Sequence, residues 1–209
     1  MNLTSAPESP SSGRSANITR KTGETVISVE LQIDGRGESA ITTKIPFFDH
    51  MLTLFARHSL VDLRVNADGD IEVDFHHTVE DTGIALGQAF VRALGDKRGI
   101  RRYGWTFLPM DETLARIALD WSGRPFLEYR TPATASVGVI GAAFSFQLVE
   151  EFLRAFAVNA GMNLHVEVLY GRDAHHMAEA IFKGLAKAID QACQLDPRVQ
   201  GVPSTKGVL

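Results

Sequence analysis

The chain carries two copies of one short pattern about 100 residues apart. The segments DFHHTVED (74–81) and DAHHMAEA (173–180) each place two adjacent histidines four and three residues before a glutamate. A shift of 101 positions also aligns Phe55 with Phe156. A period this long that occurs only twice does not suit a solenoid. It predicts an internal duplication, so the fold must accommodate two related halves.

Hydrophobic periodicity predicts the elements of each half. Largely alternating residues over Thr25–Ile33 and Ser39–Ile45, joined by DGRG, predict a hairpin. Helical spacing predicts one helix ending near His58 and another over Thr78–Leu94, with a short strand at Ile71–Phe75 before the second helix. The second half repeats this scheme. We therefore predict an α+β fold of duplicated β-β-α-β-(β)-α half-domains, with helices packed on one face of a β-sheet layer.

Composition sets the domain limits and the compartment. Residues 1–16 are rich in Ser and Pro and predict a disordered leader, followed by halves at 17–99 and 100–209. The single Cys193 excludes an intrachain disulfide and a Cys-based zinc site. A net charge of −4 argues against nucleic acid as a partner. No segment approaches the roughly 20 apolar residues of a membrane span. We therefore expect a cytoplasmic protein that binds neither nucleic acid nor a membrane.

The doubled motif predicts a metal site built from nitrogen and oxygen ligands. Adjacent helical residues point about 100° apart, so neighbouring histidines suit two different ions. The glutamate shares a helix face with either histidine. These ligand types suit Mn, Fe, Co, Ni or Zn, and spacing does not choose among them. Pseudo-symmetry adds two residues, so the predicted ligands are His50, His76, His77, Glu80, Glu151, His175, His176 and Glu179.

Five further motifs occur in order along the chain: PFFDHM, TVEDTGIALG, RYGWTFLPMDE, SGRPF and GVPSTKG. Together with the doubled motif they resemble the imidazoleglycerol-phosphate dehydratase family over Arg20 to Leu209. The resemblance implies a shell of 24 subunits with active sites at subunit contacts and two Mn²⁺ per site. It assigns His50, His77, Glu80 and His176 to one ion, and His76, Glu151, His175 and Glu179 to the other. Position 151 holds a glutamate in this sequence, whereas members of the family often have a histidine there.

The resemblance also implies a reaction, the dehydration of D-erythro-imidazole-glycerol phosphate to imidazole-acetol phosphate in L-histidine biosynthesis. Two cations would favour the imidazolate form of the substrate, which expels the neighbouring hydroxyl and leaves a diazafulvene-like intermediate. A carboxylate then removes the acidified proton. Glu24 is the expected base, and Asp111 and His58 are candidates for polar contacts or proton transfer.

The family positions further predict the residues that contact this small phosphorylated substrate. Separated cations can converge on its phosphate. The expected substrate contacts are Glu24, His50, His58, His76, Glu80, Arg102, Arg124, His175, Lys183, Ser204, Thr205 and Lys206.

Three other functions are alternatives. A metal-storage or metal-sensing shell would use the same inward ligands but would need no Glu24, Arg102 or Lys206. A metal-dependent hydrolase would more typically carry the HExxH zinc signature, whereas this chain has HHxxE. An RNA-binding module would need a basic face and stacking aromatic residues. The net charge and the three Tyr disfavour the RNA-binding module.

Overall fold

The computed structural model describes residues 13–132, 138–141 and 143–209. The first half contains a four-stranded sheet with strand order β1-β2-β4-β3. Its elements are β1 (Ser15–Lys21), β2 (Thr25–Gln32), β3 (Ser39–Thr42), α1 (Pro46–Ser59), β4 (Asp62–Gly69) and α2 (His76–Leu94).

The second half has a four-stranded sheet with order β5-β6-β10-β7 and a separate pair, β8 and β9. Its elements are β5 (Tyr103–Met110), β6 (Thr113–Asp120), β7 (Phe126–Arg130), β8 (Val139–Ile140), β9 (Phe144–Ser145), α3 (Gln147–Asn159), β10 (Asn163–Tyr170) and α4 (Ala174–Cys193). In both large sheets the first two pairings are antiparallel and the last is parallel. The two sheets therefore share one connectivity.

Each sheet buries one face beneath helices. In β2, Ile27, Val29 and Leu31 are buried while the residues between them face outward, which is the period-two pattern of a half-covered sheet. Helix α2 packs on β1 and β2, and α4 packs on β5 and β6. Helix α1 also packs against α4, and α2 against α3. The helices consequently form a layer between the two sheets.

Aromatic side chains fill the centre of this helical layer. The rings of Phe55, Phe90 and Phe156 lie 5.6–6.2 Å apart and connect α1, α2 and α3. Phe152 stacks on Phe182 at 5.2 Å and connects α3 to α4. Buried aromatic pairs of this kind contribute large apolar area and preferred ring geometry. One shared core therefore fixes all four helices relative to one another.

Helices α2 and α3 approach closely at two glycines. A Cβ atom on Gly87 would lie 2.8 Å from both the backbone nitrogen of Ala160 and the carbonyl oxygen of Phe156. A Cβ on Gly83 would lie 2.8 Å from the carbonyl oxygen of Phe152. Because backbone atoms cannot rotate away as a side chain can, glycine is required for this contact.

The strand assignments from sequence need two corrections in the first half. Residues Ile71–Phe75 form turns that lead into α2 and are not a strand. Strand β3 does not form the expected hairpin with β2, because it pairs in parallel with β4, which separates the two. The order within this half is thus β-β-β-α-β-α.

The predicted disordered leader ends too late. Ser15 and Ala16 begin β1, where Ala16 is only 6% exposed and β1 hydrogen-bonds along β2. Residues 1–12 lie outside the described residues. The predicted boundary between the halves, 99/100, falls in the connection between α2 and β5. Across the described part of the chain, no helix is long and apolar enough to cross a membrane.

Candidate metal centre and active site

The predicted metal ligands are located in the first two turns of the four helices. The histidine motifs begin α2 and α4, whereas His50 and Glu151 lie near the starts of α1 and α3. The ring of Phe47 in α1 packs 5.2 Å from that of His175 in α4. These contacts connect the beginnings of α1 and α4, so ligands from different helices can share an ion.

Glu179 lies between two histidines and forms the centre of this cluster. Its Oε1 is 3.0 Å from Nε2 of His50 and 3.0 Å from Nε2 of His175. Candidate ligand atoms of these three residues lie within 4.8 Å of one another. Two imidazoles and a carboxylate at this spacing suit a divalent transition metal. The residues present therefore fit a metal ion.

The Glu179 carboxylate is held in its charged form. Its side chain is only 9% exposed, and burial by itself raises the pKa of Glu179. Hydrogen bonds from Lys183, His50 and His175 outweigh burial and lower the pKa to about 2. The carboxylate is consequently anionic at neutral pH, as a metal ligand would need to be.

A second, similar set occurs on α2 and α3. Nε2 of His76 is 3.9 Å from Oε2 of Glu80, and Glu151 lines the same depression as His76. In each set, one helix contributes a histidine and a glutamate four residues apart, and the neighbouring helix contributes a third residue. Within one chain, His50 lies with His175 and Glu179. The resemblance instead assigns His50 to one ion and the other two residues to the second ion. The helix contacts α1·α4 and α2·α3 explain this difference.

The second histidine of each motif has a carboxylate partner that sequence reasoning missed. Nδ1 of His77 is 3.0 Å from Oδ2 of Asp70, and Nδ1 of His176 is 2.7 Å from Oε2 of Glu112. These hydrogen bonds raise the pKa of both histidines. Each acid lies in a turn next to a strand end, and no fixed spacing from the motif would have indicated it.

The expected base Glu24 is located beside the first motif. Its Oε2 is 3.7 Å from Nδ1 of His77, and its side chain is 56% exposed. The hydroxyl of Thr22 accepts the backbone N–H groups of Glu24 and Thr25, which fixes the turn before β2. Asp111 has a similar position in the second half, with Oδ2 3.6 Å from Nε2 of His176. Both carboxylates are open to a ligand.

Comparison with known proteins identifies the family. The imidazoleglycerol-phosphate dehydratase family model matches residues 43–189. The chain belongs to the imidazoleglycerol-phosphate dehydratase family. Members of this family are lyases, so the chain is an enzyme of that class.

Relatives within the imidazoleglycerol-phosphate dehydratase family cover nearly the whole chain. The protein of Methylorubrum populi is 59% identical over 94% of this chain and all of the relative, and that of Geobacter metallireducens is 58% identical over 94% and 99%. The crystal structure from Staphylococcus aureus has 37% identity and a TM-score of 0.76, covering 86% of this chain and 98% of that one. The Pyrococcus furiosus structure, in complex with (S)-C348, has 34% identity and a TM-score of 0.77, covering 92% and 100%.

Two further residues expected in the dehydratase site lie close to the first cluster. Lys183 donates to Glu179 one helical turn away on α4. His58 follows His50 by about two turns on α1. Burial, together with the positive charges of Lys183 and Lys187, lowers the pKa of His58. These effects favour the neutral imidazole form of His58.

The remaining cations expected to bind the dehydratase substrate lie at the opposite end of α4. The backbone N–H of Arg102 donates to Ala192, near the end of that helix. From His175 to Ala192 the helix rises about 26 Å. One chain therefore does not bring Arg102 to the histidines of its own second motif.

Arg102 is itself held in an internal network. Its guanidinium forms two hydrogen bonds, of 2.6 and 2.9 Å, with the carboxylate of Asp120. A third hydrogen bond, to the carbonyl of Pro203, anchors the segment that carries Ser204, Thr205 and Lys206. The end of that segment runs against Gly123, beside Arg124. These five residues consequently form one basic region, separate from the predicted metal ligands of the same chain.

Proposed function

We propose that the chain catalyses metal-dependent dehydration of D-erythro-imidazole-glycerol phosphate to imidazole-acetol phosphate in L-histidine biosynthesis. The observation that carries this proposal is the placement of Glu179 between His50 and His175 in a member of the dehydratase family. The ligand types favour Mn²⁺ or a similar divalent ion, and we propose two Mn²⁺ per active site.

The helix contacts suggest how the ligands divide. His50, His175 and Glu179 would hold one ion, and His76, Glu80 and Glu151 the other. A carboxylate at Glu151 is compatible with this role because Asp and Glu oxygens bind the same metals as imidazole. His77 and His176 point to separate carboxylates. We propose that they complete ligand sets contributed by other copies of the chain.

The reaction needs a base and a means of expelling hydroxide. When bound, the cations would stabilise the anionic form of the substrate ring and so favour loss of its neighbouring hydroxyl. Glu24 would remove the carbon-bound proton, since its carboxylate is exposed and lies beside a ligand histidine. Asp111 and His58 would provide polar contacts or transfer a proton. The enol product then tautomerises to the ketone.

The separation of the two groups of residues supports an assembled active site. Arg102, Arg124, Ser204, Thr205 and Lys206 would bind the phosphate from one chain, while the histidine clusters and Lys183 come from another. Because the two groups lie about 26 Å apart along α4, they cannot form one site within a single chain. This separation supports active sites at subunit contacts. We propose from the family resemblance that the assembly is a cytoplasmic shell of 24 subunits. The shared connectivity of the two sheets similarly supports the proposed duplication.

Replacement of Glu179 by Gln tests the proposed metal centre. Gln has the same shape but loses the negative charge between the two imidazoles, so we expect loss of bound Mn²⁺ and a fall in turnover of at least about 100-fold. Metal content and dehydration of imidazole glycerol phosphate are measured on the same preparation. The control is His165→Ala, an exposed histidine on the outer face of β10. A Glu179→Gln protein that retains metal and activity would contradict the proposal.

A further inference from the structure

We propose that Glu112 is a positioning residue that determines which ring nitrogen of His176 carries the proton. The inference rests on the proposed metal-dependent function, in which His176 is a ligand. Glu112 itself would contact neither metal nor substrate. It would act by keeping Nε2 of His176 unprotonated and oriented outward, ready to bind an ion.

The hydrogen bonds of Glu112 are divided between its two oxygens. Oε2 is 2.7 Å from Nδ1 of His176. Oε1 accepts the backbone N–H groups of Asp173 at 2.9 Å and Arg172 at 3.2 Å, and the hydroxyl of Thr113 at 3.2 Å. An ionised carboxylate can only accept hydrogen bonds, so Nδ1 of His176 must carry the proton. The lone pair of a neutral His176 is then on Nε2.

Nε2 of His176, the ring nitrogen that does not bond Glu112, is the one available to bind a metal in the proposed site. Nε2 of His176 is 3.6 Å from the Asp111 carboxylate, which is 72% exposed. Carboxylates that accept the second N–H of a ligand histidine fix its tautomer and orientation and make the other nitrogen a better ligand. Glu112 therefore provides an arrangement that a histidine with a merely structural role would not need.

In the first half, the second histidine of the motif also hydrogen-bonds a carboxylate, but that carboxylate belongs to a different turn of the fold. Asp70 follows β4 and bonds Nδ1 of His77, whereas Glu112 lies in the turn between β5 and β6. The residue 101 positions after Asp70 is Gly171, which has no side chain. Glu24 directly precedes β2 as Glu112 directly precedes β6, but its Oε2 lies 3.7 Å from Nδ1 of His77, so in the first half Asp70 makes the hydrogen bond instead. The recurrence points to a functional requirement at the second histidine of each motif.

The division of hydrogen bonds allows a sharp test. In Glu112→Gln the amide oxygen must still face the three donors at Oε1, so the amide NH₂ faces Nδ1 of His176. That NH₂ donates to Nδ1 and places the ring proton on Nε2, where it blocks a metal. In Glu112→Ala every hydrogen bond is lost, but His176 is free to adopt either tautomer. Positioning thus predicts that Gln is worse than Ala, and a structural role predicts the reverse.

The experiment titrates Mn²⁺ alone into the full-length proteins and follows unbound Mn²⁺ by electron paramagnetic resonance. We expect Glu112→Gln to weaken binding by about 10–100-fold at the affected sites, and Glu112→Ala to weaken it less. The matched control is Asp62→Asn. Asp62 also accepts two backbone N–H groups on one oxygen, and among the described residues it is not hydrogen-bonded to a histidine. Asp62→Asn should bind as the unmodified protein does.

The outcomes separate this inference from the function on which it rests. If the unmodified protein binds no Mn²⁺, both the proposed metal dependence and this inference are wrong. If it binds Mn²⁺ and Glu112→Gln binds equally well, or binds better than Glu112→Ala, only the inference is wrong. A Glu112→Gln protein that does not fold, by circular dichroism, would also overturn it, because Gln retains every contact of Oε1. If Glu112→Ala does not fold, the comparison of Glu112→Gln with Asp62→Asn decides.

Discussion

The position of Glu24 allows its role to be separated from metal binding. Its turn is fixed through Thr22, and its carboxylate lies 3.7 Å from His77 without being buried. Glu24→Gln retains the shape of the side chain but cannot accept a proton. We expect kcat to fall by about 100-fold or more, with Mn²⁺ binding unchanged in a titration. Glu30→Gln, which changes an exposed residue of β2, the strand that follows Glu24, should leave kcat unaltered. Near-normal turnover in Glu24→Gln would exclude it as the base.

At the scale of residues, the sequence indicated which histidines and glutamates lie near the helix starts better than it indicated their hydrogen-bond partners. The repeated HHxxE spacing selects the residues because helical geometry places the glutamate on a histidine face. Asp70 and Glu112 were missed because their contacts depend on how two turns pack against the helix starts. The buried Asp81 was missed for the same reason. It accepts hydrogen bonds from Arg20 and Thr25 and so ties β1 and β2 to α2.

At the scale of elements, the contact between α2 and α3 determines how His76 and Glu151 approach each other. A Cβ on Gly87 would lie 2.8 Å from backbone atoms of α3, so Gly87→Ala must separate the two helices. Ala is intrinsically favoured over Gly in a helix by about 1 kcal/mol, and a net loss therefore reports the clash. We expect the free energy of unfolding in urea to fall by roughly 1–3 kcal/mol.

A matched glycine provides the control for the helix contact. A Cβ on Gly23 would meet nothing within 4 Å, and so Gly23→Ala should change the free energy of unfolding by less than about 0.5 kcal/mol. If Gly87→Ala were as stable as Gly23→Ala, the two helices would not depend on close backbone approach.

Elements that form from their local sequence were predicted better than elements that depend on distant parts of the chain. Helices α1 and α2 have strong apolar periodicity and were placed to within a few residues. Strand β3 was located, but its partner was not, because pairing with β4 requires the intervening helix to cross over. Strand β1 was missed altogether. Its sequence SANITRK has weak alternation, and only β2 and α2 make it a strand.

At the scale of the whole molecule, the proposed site requires more than one chain. The basic region around Arg102 and the Glu179 cluster lie at opposite ends of α4. Variants that damage the two regions separately should therefore complement each other in a mixed assembly. Glu179→Gln and Lys206→Ala should each be inactive alone. Coexpressed, they should recover up to about a quarter of the original activity, since sites with two intact contributions then form by chance.

This complementation is measured as turnover per chain after copurification of the two differently tagged variants. The control is coexpression of Glu179→Gln with His175→Ala, which damages the same cluster twice and should recover nothing. If the test pair recovered no more activity than the control, both regions would belong to one chain's site. The fold of a single chain could be inferred largely from pattern, whereas the assembly was predicted from family resemblance alone.

The central claim, that the histidine and carboxylate clusters act through bound metal, is tested most directly by removing the metal from the unmodified protein. Turnover of imidazole glycerol phosphate is measured before treatment with a chelator, after dialysis, and after Mn²⁺ is returned, with metal content determined at each step. We predict that activity disappears with the metal and returns with Mn²⁺. Full turnover in protein shown to contain no metal would contradict the account.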